Sequence, residues 1–245
     1  MPATSSATPP GQDPPLPGRA IMDQWWRDIT FLHWPVDPAV VAPMMPRGVR
    51  PDLYDGAAWV GLIPFRMVDA GVGEGRPAPW LGTFLETNVR LYSTDDRGRH
   101  GVVFRSLDAD RLAVVAGANA GFGVPYKWAR MSAGRRDGGW RYEMRRRTGG
   151  RPRSVVDVEV GEPVDPDPLE LFLTARFGLH TSVLGRTLWV PNTHGPWPLH
   201  RARVRELHDE LVTAAGLPGV TTTPPVSVLH SPGVRTRFGT PQPVR

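Results

Sequence analysis

The chain contains no cysteine among its 245 residues. That excludes disulfides, thiolate metal sites and a cysteine nucleophile. It contains a single lysine, Lys127, against 28 arginines, so side-chain amine chemistry has one seat. Long apolar runs are missing too. The least charged stretch, Leu112–Val124, is 13 residues long and interrupted by glycine, too short to cross a bilayer. The first residues, MPATSSATPPGQDPPLPGRA, lack the basic and apolar regions of a secretory signal. A cytoplasmic protein with no membrane partner is expected. No GxSxG elbow, Walker loop, GxGxxG unit or HExxH pair occurs. His194 and His200 are six apart, and His200 and His208 eight apart, which makes no ligand cluster. Neither a metal site nor a cofactor is expected. His33, inside FLHWPV, reads as a hydrogen-bonded core histidine.

Glycine, proline and aromatic residues are plentiful. The 27 Gly and 28 Pro suit a protein of strands and turns, and nine Trp with eight Phe can fill a sizeable core. The net charge of +5 comes with no nucleic-acid motif, so no nucleic acid is expected as a partner. The densest basic patch, Arg145-Arg146-Arg147 with Arg151 and Arg153, flanks Gly149-Gly150 and reads as a hairpin tip.

Residues 1–20 hold almost no large apolar side chain and are expected to be a disordered tail. Met22, where the text changes, could serve as an alternative start. Residues 21–238 are expected to form one domain, with 239–245 a C-terminal tail. Asp37-Pro38 predicts a capped short helix over AVVAPMM. Strands are expected over AAWVGLIPFRM, Thr83–Ser93, Gly101–Leu107, Tyr126–Ser132, Trp140–Arg147, Ser154–Val160 and Val226–Arg237, with a turn at Asp95–Gly98 and a loop over Gly71–Pro79. Asp110 is expected to cap a short helix, Arg111–Ala116. Asp167-Pro168-Leu169-Glu170 predicts a capping box with Leu169, Phe172, Leu173 and Phe177 on one face. A second helix is expected from Pro198, with Leu207, Leu211, Ala214 and Ala215 as its stripe and Gly216 and Pro218 ending it. The whole reads as α+β, with a large, mostly antiparallel sheet that is curled or closed.

The Thr83–Ser93 strand carries the best candidate site. Side chains alternate with period two, so Phe84, Glu86, Asn88, Arg90 and Tyr92 share a face opposite Leu85, Val89 and Leu91. Such a face is either solvated or lines a cavity. In a cavity, Arg90 and Asn88 could bind a carboxylate or carbonyl ligand, and a desolvated Glu86 could act as acid or base. Lys127 has Val124, Tyr126 and Trp128 as neighbours. If burial lowered its pKa, its amine could form a Schiff base; otherwise it is an ordinary strand-end lysine.

WRDITFLHWPVDP, DGAAWVGLIPFRM, FLETNVRLYS, GVPYKWARM and HGPWPLHRARV occur in the order and spacing of a known family. From Gln24 to Val234 the chain resembles the YqjF-like uncharacterised proteins, which are similar in turn to the acetoacetate decarboxylase superfamily. The resemblance implies a cone-like β-barrel with flanking helices and a polar internal pocket. It matches Glu86 to a decarboxylase glutamate, and Gly123-Val124-Pro125-Tyr126-Lys127 to a segment ending in two lysines. Tyr126 stands where the Schiff-base lysine would be, Lys127 matches the second lysine, and Asn119-Ala120 replaces an Arg-Glu pair. The reading is a pocket for a small-molecule ligand, a carbonyl or carboxylate compound. Glu86 would be the acid or base, Tyr126 a hydrogen-bond donor, Arg90 the anion clamp and Asn88 a ligand contact. One alternative is a Schiff-base decarboxylase or aldolase-type enzyme that brings Lys127 inward through a bulge. The other is a non-catalytic ligand-binding or assembly protein. A homo-oligomer is compatible with all of these readings.

Overall fold

Fifteen residues rich in aromatic and β-branched side chains, Met22–Val36, make the first long strand, β1. In the computed structural model, which describes residues 14–73, 82–112 and 123–244, β1 lies between two other long strands. These are β3 (Ala58–Val72) and β12 (Ser227–Phe238), both antiparallel to it. The other strands are β2 (Val49–Pro51), β4 (Phe84–Asp95), β5 (His100–Ala109), β6 (Tyr126–Arg136), β7 (Gly139–Arg146), β8 (Arg153–Pro163), β9 (Gly178–Val183), β10 (Arg186–His194), β11 (His200–Asp209) and β13 (Gln242–Pro243). All belong to one sheet with the order β13-β10-β9-β5-β6-β7-β8-β11-β12-β1-β3-β4-β2. Two further pairings, β4 with β5 and β10 with β12, link strands far apart in that order. Only β5–β6 and β5–β9 run parallel.

Three short α-helices interrupt the sheet among the described residues: α1 (Pro38–Val41), α2 (Pro168–Thr174) and α3 (Leu211–Ala214). Asp37 caps α1 by accepting from Ala39 N, and a 3₁₀ turn over Ala42–Met44 completes the expected AVVAPMM segment. The capping box at α2 forms in full: Asp167 accepts from Glu170 N, and Glu170 reaches back to Asp167 N. The Gly149-Gly150 tip has positive φ at both glycines and joins β7 to β8.

The fold is mostly β, which corrects the α+β expectation. The second predicted helix fails over His200–Asp209, which is strand β11 paired with β8 and β12. Arg201, Arg203 and Arg205 are exposed, whereas His200, Ala202 and Val204 are half-buried, a period-two signal. A bulge between Val204 and Glu206 then shifts the parity and brings Leu207 inward. The shift put Leu207 in apparent helical phase with Leu211, so the stripe ran across a strand–helix boundary. Helix forms only at Leu211–Ala214. Residues 113–116 of the Asp110-capped helix and 74–79 of the expected loop lie outside the described residues. Residues 14–20 carry no helix or strand, and the C-terminal segment contributes β13.

Burial is divided among three apolar clusters. In the first, Leu32, Trp34, Val60, Leu62, Val89 and Leu91 pack with Val156, Val158 and the α3 residues Leu211 and Val212. The second gathers Ile29, Phe31, Ile63, Phe65, Met67 and Phe84; the third holds Trp59, Tyr92, Val102, Leu107 and Phe238. β4 therefore contributes to apolar packing on both of its faces.

The close approach of β1 and β12 depends on Gly233. It sits at φ +120, and a Cβ there would lie 1.9 Å from Trp26 O. Gly233→Ala is expected to destabilise the fold by roughly 3 kcal/mol in denaturant unfolding. A loss below about 0.5 kcal/mol would show that the two backbones separate at little cost.

Candidate functional site

Phe84, Glu86, Asn88 and Arg90 line a cavity of about 270 Å³. β4 keeps its alternation because the irregularity opposite it lies in β5. Val89 pairs with Ser106 and Arg90 with Phe104, leaving Arg105 as the extra residue. The bulge lets Phe104 and Leu107, three positions apart, both line the cavity. Arg105 instead reaches the carbonyls of Met44 and Ala215. Trp26, Phe65, Met67 and Val190 add to a mostly apolar wall.

Glu86 is 2% exposed. Tyr126 Oη donates to Glu86 Oε2 at 2.8 Å, and Asn88 Nδ2 donates to Oε1 at 3.2 Å. Burial pushes the Glu86 carboxyl up to about 8; the Tyr126 bond opposes this, and the nearby Asp108 charge adds to it. Asp108 stays close by because Arg146 grips both of its oxygens, at 2.7 and 2.9 Å. Burial, and next the Glu86 charge, pushes the Tyr126 phenol well above its ordinary value. Below about pH 8 the Glu86–Tyr126 pair therefore holds two protons. Their mutual bond uses one of the two.

The C-terminal end of α2 organises the next part of the cavity. Carbonyls of a helix's last turn lack intrahelical partners and favour cations. Leu173 O accepts from Arg90 Nη2 at 2.8 Å and from Tyr92 Oη at 2.9 Å, and Phe172 O accepts from Arg176 Nε at 2.6 Å. Arg90 Nε also donates to Tyr92 Oη at 3.2 Å. His33 Nε2 lies 2.7 Å from Tyr92 Oη; burial, then the Arg90 and Arg176 charges, lowers the His33 pKa well below its ordinary value. Arg176 pairs with Asp52 at 2.5 Å, and Asp52 also meets His100 at 2.8 Å. Burial alone would raise the Asp52 carboxyl, but the His100 bond and the Arg176 charge hold it below its ordinary value.

Arg90 is 7% exposed, and its partners Tyr92 Oη and Leu173 O are neutral. It makes no ion pair among the described residues, and its Nη1 donates to none of them. Arg176 Nη2, Asn88 Oδ1, Asn192 Oδ1 and Trp26 Nε1 also have no partner among the described residues, and all four side chains line the same cavity. Buried polar atoms are normally paired, and a buried unpaired charge costs several kcal/mol. Two of the four are donors, Arg176 Nη2 and Trp26 Nε1, and two are amide acceptors.

Of the residues singled out in the sequence, Glu86, Asn88, Arg90 and Tyr126 meet at the cavity. Lys127 does not: it is exposed and absent from the lining. The β5–β6 register runs unbroken through Leu107–Tyr126, Asp108–Lys127 and Ala109–Trp128, so no bulge turns Lys127 inward. Asp52, Arg176 and Asn192 were not singled out. Arg176 is brought in by the chain just after α2, and Asp52, just after β2, by its backbone bond to Tyr92 O; neither leaves a local pattern. Asn192 alternates inward with Val190 on β10, a weak period-two signal. No group of three metal-ligating side chains occurs among the described residues.

A curled, mostly antiparallel sheet around a buried polar–apolar cavity defines an acetoacetate-decarboxylase-like fold. Acetoacetate decarboxylase from Legionella pneumophila matches with a TM-score of 0.64 at 15% identity, covering 98% of this chain and 93% of that one. An acetoacetate decarboxylase-like enzyme from Sphingomonas wittichii RW1 matches at 0.62 and 16%, covering 98% of each chain. The enduracididine biosynthesis enzyme MppR complexed with pyruvate matches at 0.60 and 15%, covering 99% of this chain and 93% of that one. At these identities the likeness concerns the fold alone. The chain itself belongs to the DUF2071 family, described as "Uncharacterized conserved protein", whose model matches residues 23–235. It is 30% identical over 213 residues to the uncharacterized protein YqjF of Bacillus subtilis (strain 168), covering 86% of each chain. No described helix is long and apolar enough to cross a membrane.

The raised Glu86 pKa predicts a pH signature. The folded state keeps this proton up to about pH 8, whereas the ordinary value is 4.5. Between those limits the native state binds the extra proton, so stability falls as pH rises, and it is level outside them. Glu86→Gln should remove this slope, gaining more than about 1 kcal/mol on the wild type between pH 5 and pH 8 in denaturant unfolding. Parallel profiles for the two proteins would mean that Glu86 ionises normally.

Proposed function

We propose that the sheet closes as a barrel around this cavity and that the cavity binds a small carbonyl or carboxylate compound without a covalent bond to the protein. The observation that carries this reading is Arg90, which lines the cavity, is buried and is bonded only to neutral groups, its Nη1 donating to no described residue. A ligand carboxylate there replaces the missing counter-charge through charge-assisted hydrogen bonds. Arg176 lines the same cavity and puts a second guanidinium over the Tyr92 ring, near Arg90.

The chemistry assigned to the site is proton transfer. Neutral Glu86 donates to a ligand carbonyl oxygen, and its conjugate carboxylate, held by the Tyr126 hydroxyl and the Asn88 amide, takes a proton back. A carboxyl that titrates near 8 exists in both forms at neutral to mildly alkaline pH, which suits this role. No amine takes part, since Lys127 is exposed.

Calorimetric titration with a panel of keto acids and simple carboxylates tests the binding claim. Arg90→Met should weaken the ligand that binds by at least tenfold. Unchanged affinity would remove Arg90 as the anion clamp. Incubating the same panel with borohydride should give no mass adduct dependent on Lys127, the only lysine. An adduct lost in Lys127→Ala would overturn the non-covalent reading. If Glu86→Gln keeps binding and abolishes turnover of the bound compound, Glu86 is the acid–base; binding with no turnover in the wild type would make the protein a carrier.

A further inference from the structure

The cavity is graded along β4. Its inward residues run Arg90, Asn88, Glu86, Phe84. Alternate residues on a strand stand about 6.8 Å apart, so the Arg90 and Phe84 positions are separated by about 20 Å. β3 runs antiparallel beside this ladder, with Ile63 opposite Asn88, Phe65 opposite Glu86 and Met67 opposite Phe84. Every one of these β3 residues is apolar and lines the cavity. The cationic end is the Arg90 end: Arg90 and Arg176 lie over the same Tyr92 ring, at 5.4 and 5.0 Å from its centroid. The Phe84–Met67 end offers no charged group among its described lining residues.

A three-carbon keto acid seated on Arg90 would leave most of this space unfilled. The volume of about 270 Å³ is near the lower end of the range for drug-sized ligands, roughly 300–1,000 Å³. Empty apolar surface facing water is unfavourable, and covering it is worth a three- to fourfold gain in affinity per methylene, roughly. Resting on the carboxylate reading above, we infer that the ligand is an amphipathic monocarboxylate with an apolar body of about six to ten carbons, a medium-chain or arylalkyl acid. Its acid group lies between Arg90 and Arg176. Its apolar body runs past Glu86 and Tyr126 toward Phe84 and Met67. A functional group partway along the body, rather than one adjacent to the acid, is then the part presented to the Glu86–Tyr126 pair.

The experiment is a calorimetric length series with unbranched monocarboxylates from acetate to decanoate, and the 2-oxo acids from pyruvate to 2-oxooctanoate. Affinity should rise about three- to fourfold per added methylene and then level off near eight carbons. The primary alcohol of the best length should bind at least tenfold more weakly than the acid. Met67→Trp shortens the apolar end. It should cost the eight-carbon acid at least tenfold and leave the shortest acid that binds unchanged. The length series stands by itself should this variant fail to fold. Clear binding of pyruvate with no gain for longer chains would overturn this inference and leave the carboxylate site standing. Equal binding of alcohol and acid would overturn the placement of the acid group between the arginines. Failure of every acid to bind would overturn both this inference and the reading under it.

Discussion

A strand buried on both faces must find partners inside the protein for every polar side chain it carries, because water is not there to supply them. β4 is in that position. Val89 and Leu91 pack into one apolar cluster, while Glu86, Asn88 and Arg90 face the other way and are each less than a tenth exposed. The rest of the site answers this demand. Glu86 takes hydrogen bonds from Tyr126 and Asn88, and Arg90 takes the end of a helix and a phenol. The same burial that requires partners makes the carboxyl hold its proton, so desolvation both shapes the site and sets its acid–base character.

The two arginines show how local structure supplies what charge pairing does not. α2 is short, and its N-terminus is closed by its own capping box. Its C-terminal carbonyls point to the cavity side, where they accept from Arg90 and Arg176. Arg176 has Asp52 as a full counter-ion; Arg90 has only dipoles. Arg176 is therefore a paired cation and Arg90 an unpaired one among the described residues. His33 completes the arrangement by staying neutral, since burial and two neighbouring guanidinium groups oppose its protonation.

Much of this was legible in the sequence, for reasons particular to each element. The strand Phe84–Asp95 declares itself by alternation, and alternation alone put Glu86, Asn88 and Arg90 on one face. What alternation cannot say is whether that face meets water or protein, because this depends on strands β3, β5, β9 and β10 curling around it. The capping box at α2 was readable because its signal spans four residues. Arg176 was not, because an arginine after a helix usually points to solvent; here it is carried under Tyr92 and Phe172. β11 was misread because the Val204–Glu206 bulge adds one residue and brings Leu207 into helical phase with α3. A bulge of this kind is invisible to any fixed-period reading.

The difference between Tyr126 and Lys127 is one of parity, and it decides which chemistry the cavity can support. On an unbroken strand, adjacent residues face opposite ways. Tyr126 lines the cavity beside Glu86, and Lys127 is exposed. The phenol stands where the resemblance to decarboxylases would put a nucleophilic lysine. A buried lysine gives up its proton readily and becomes a nucleophile, whereas a buried arginine stays charged. Arg90 and Arg176 line the cavity, and the one lysine is outside it. No lysine is among the cavity's described lining residues, so no side-chain amine is placed there to form a covalent intermediate.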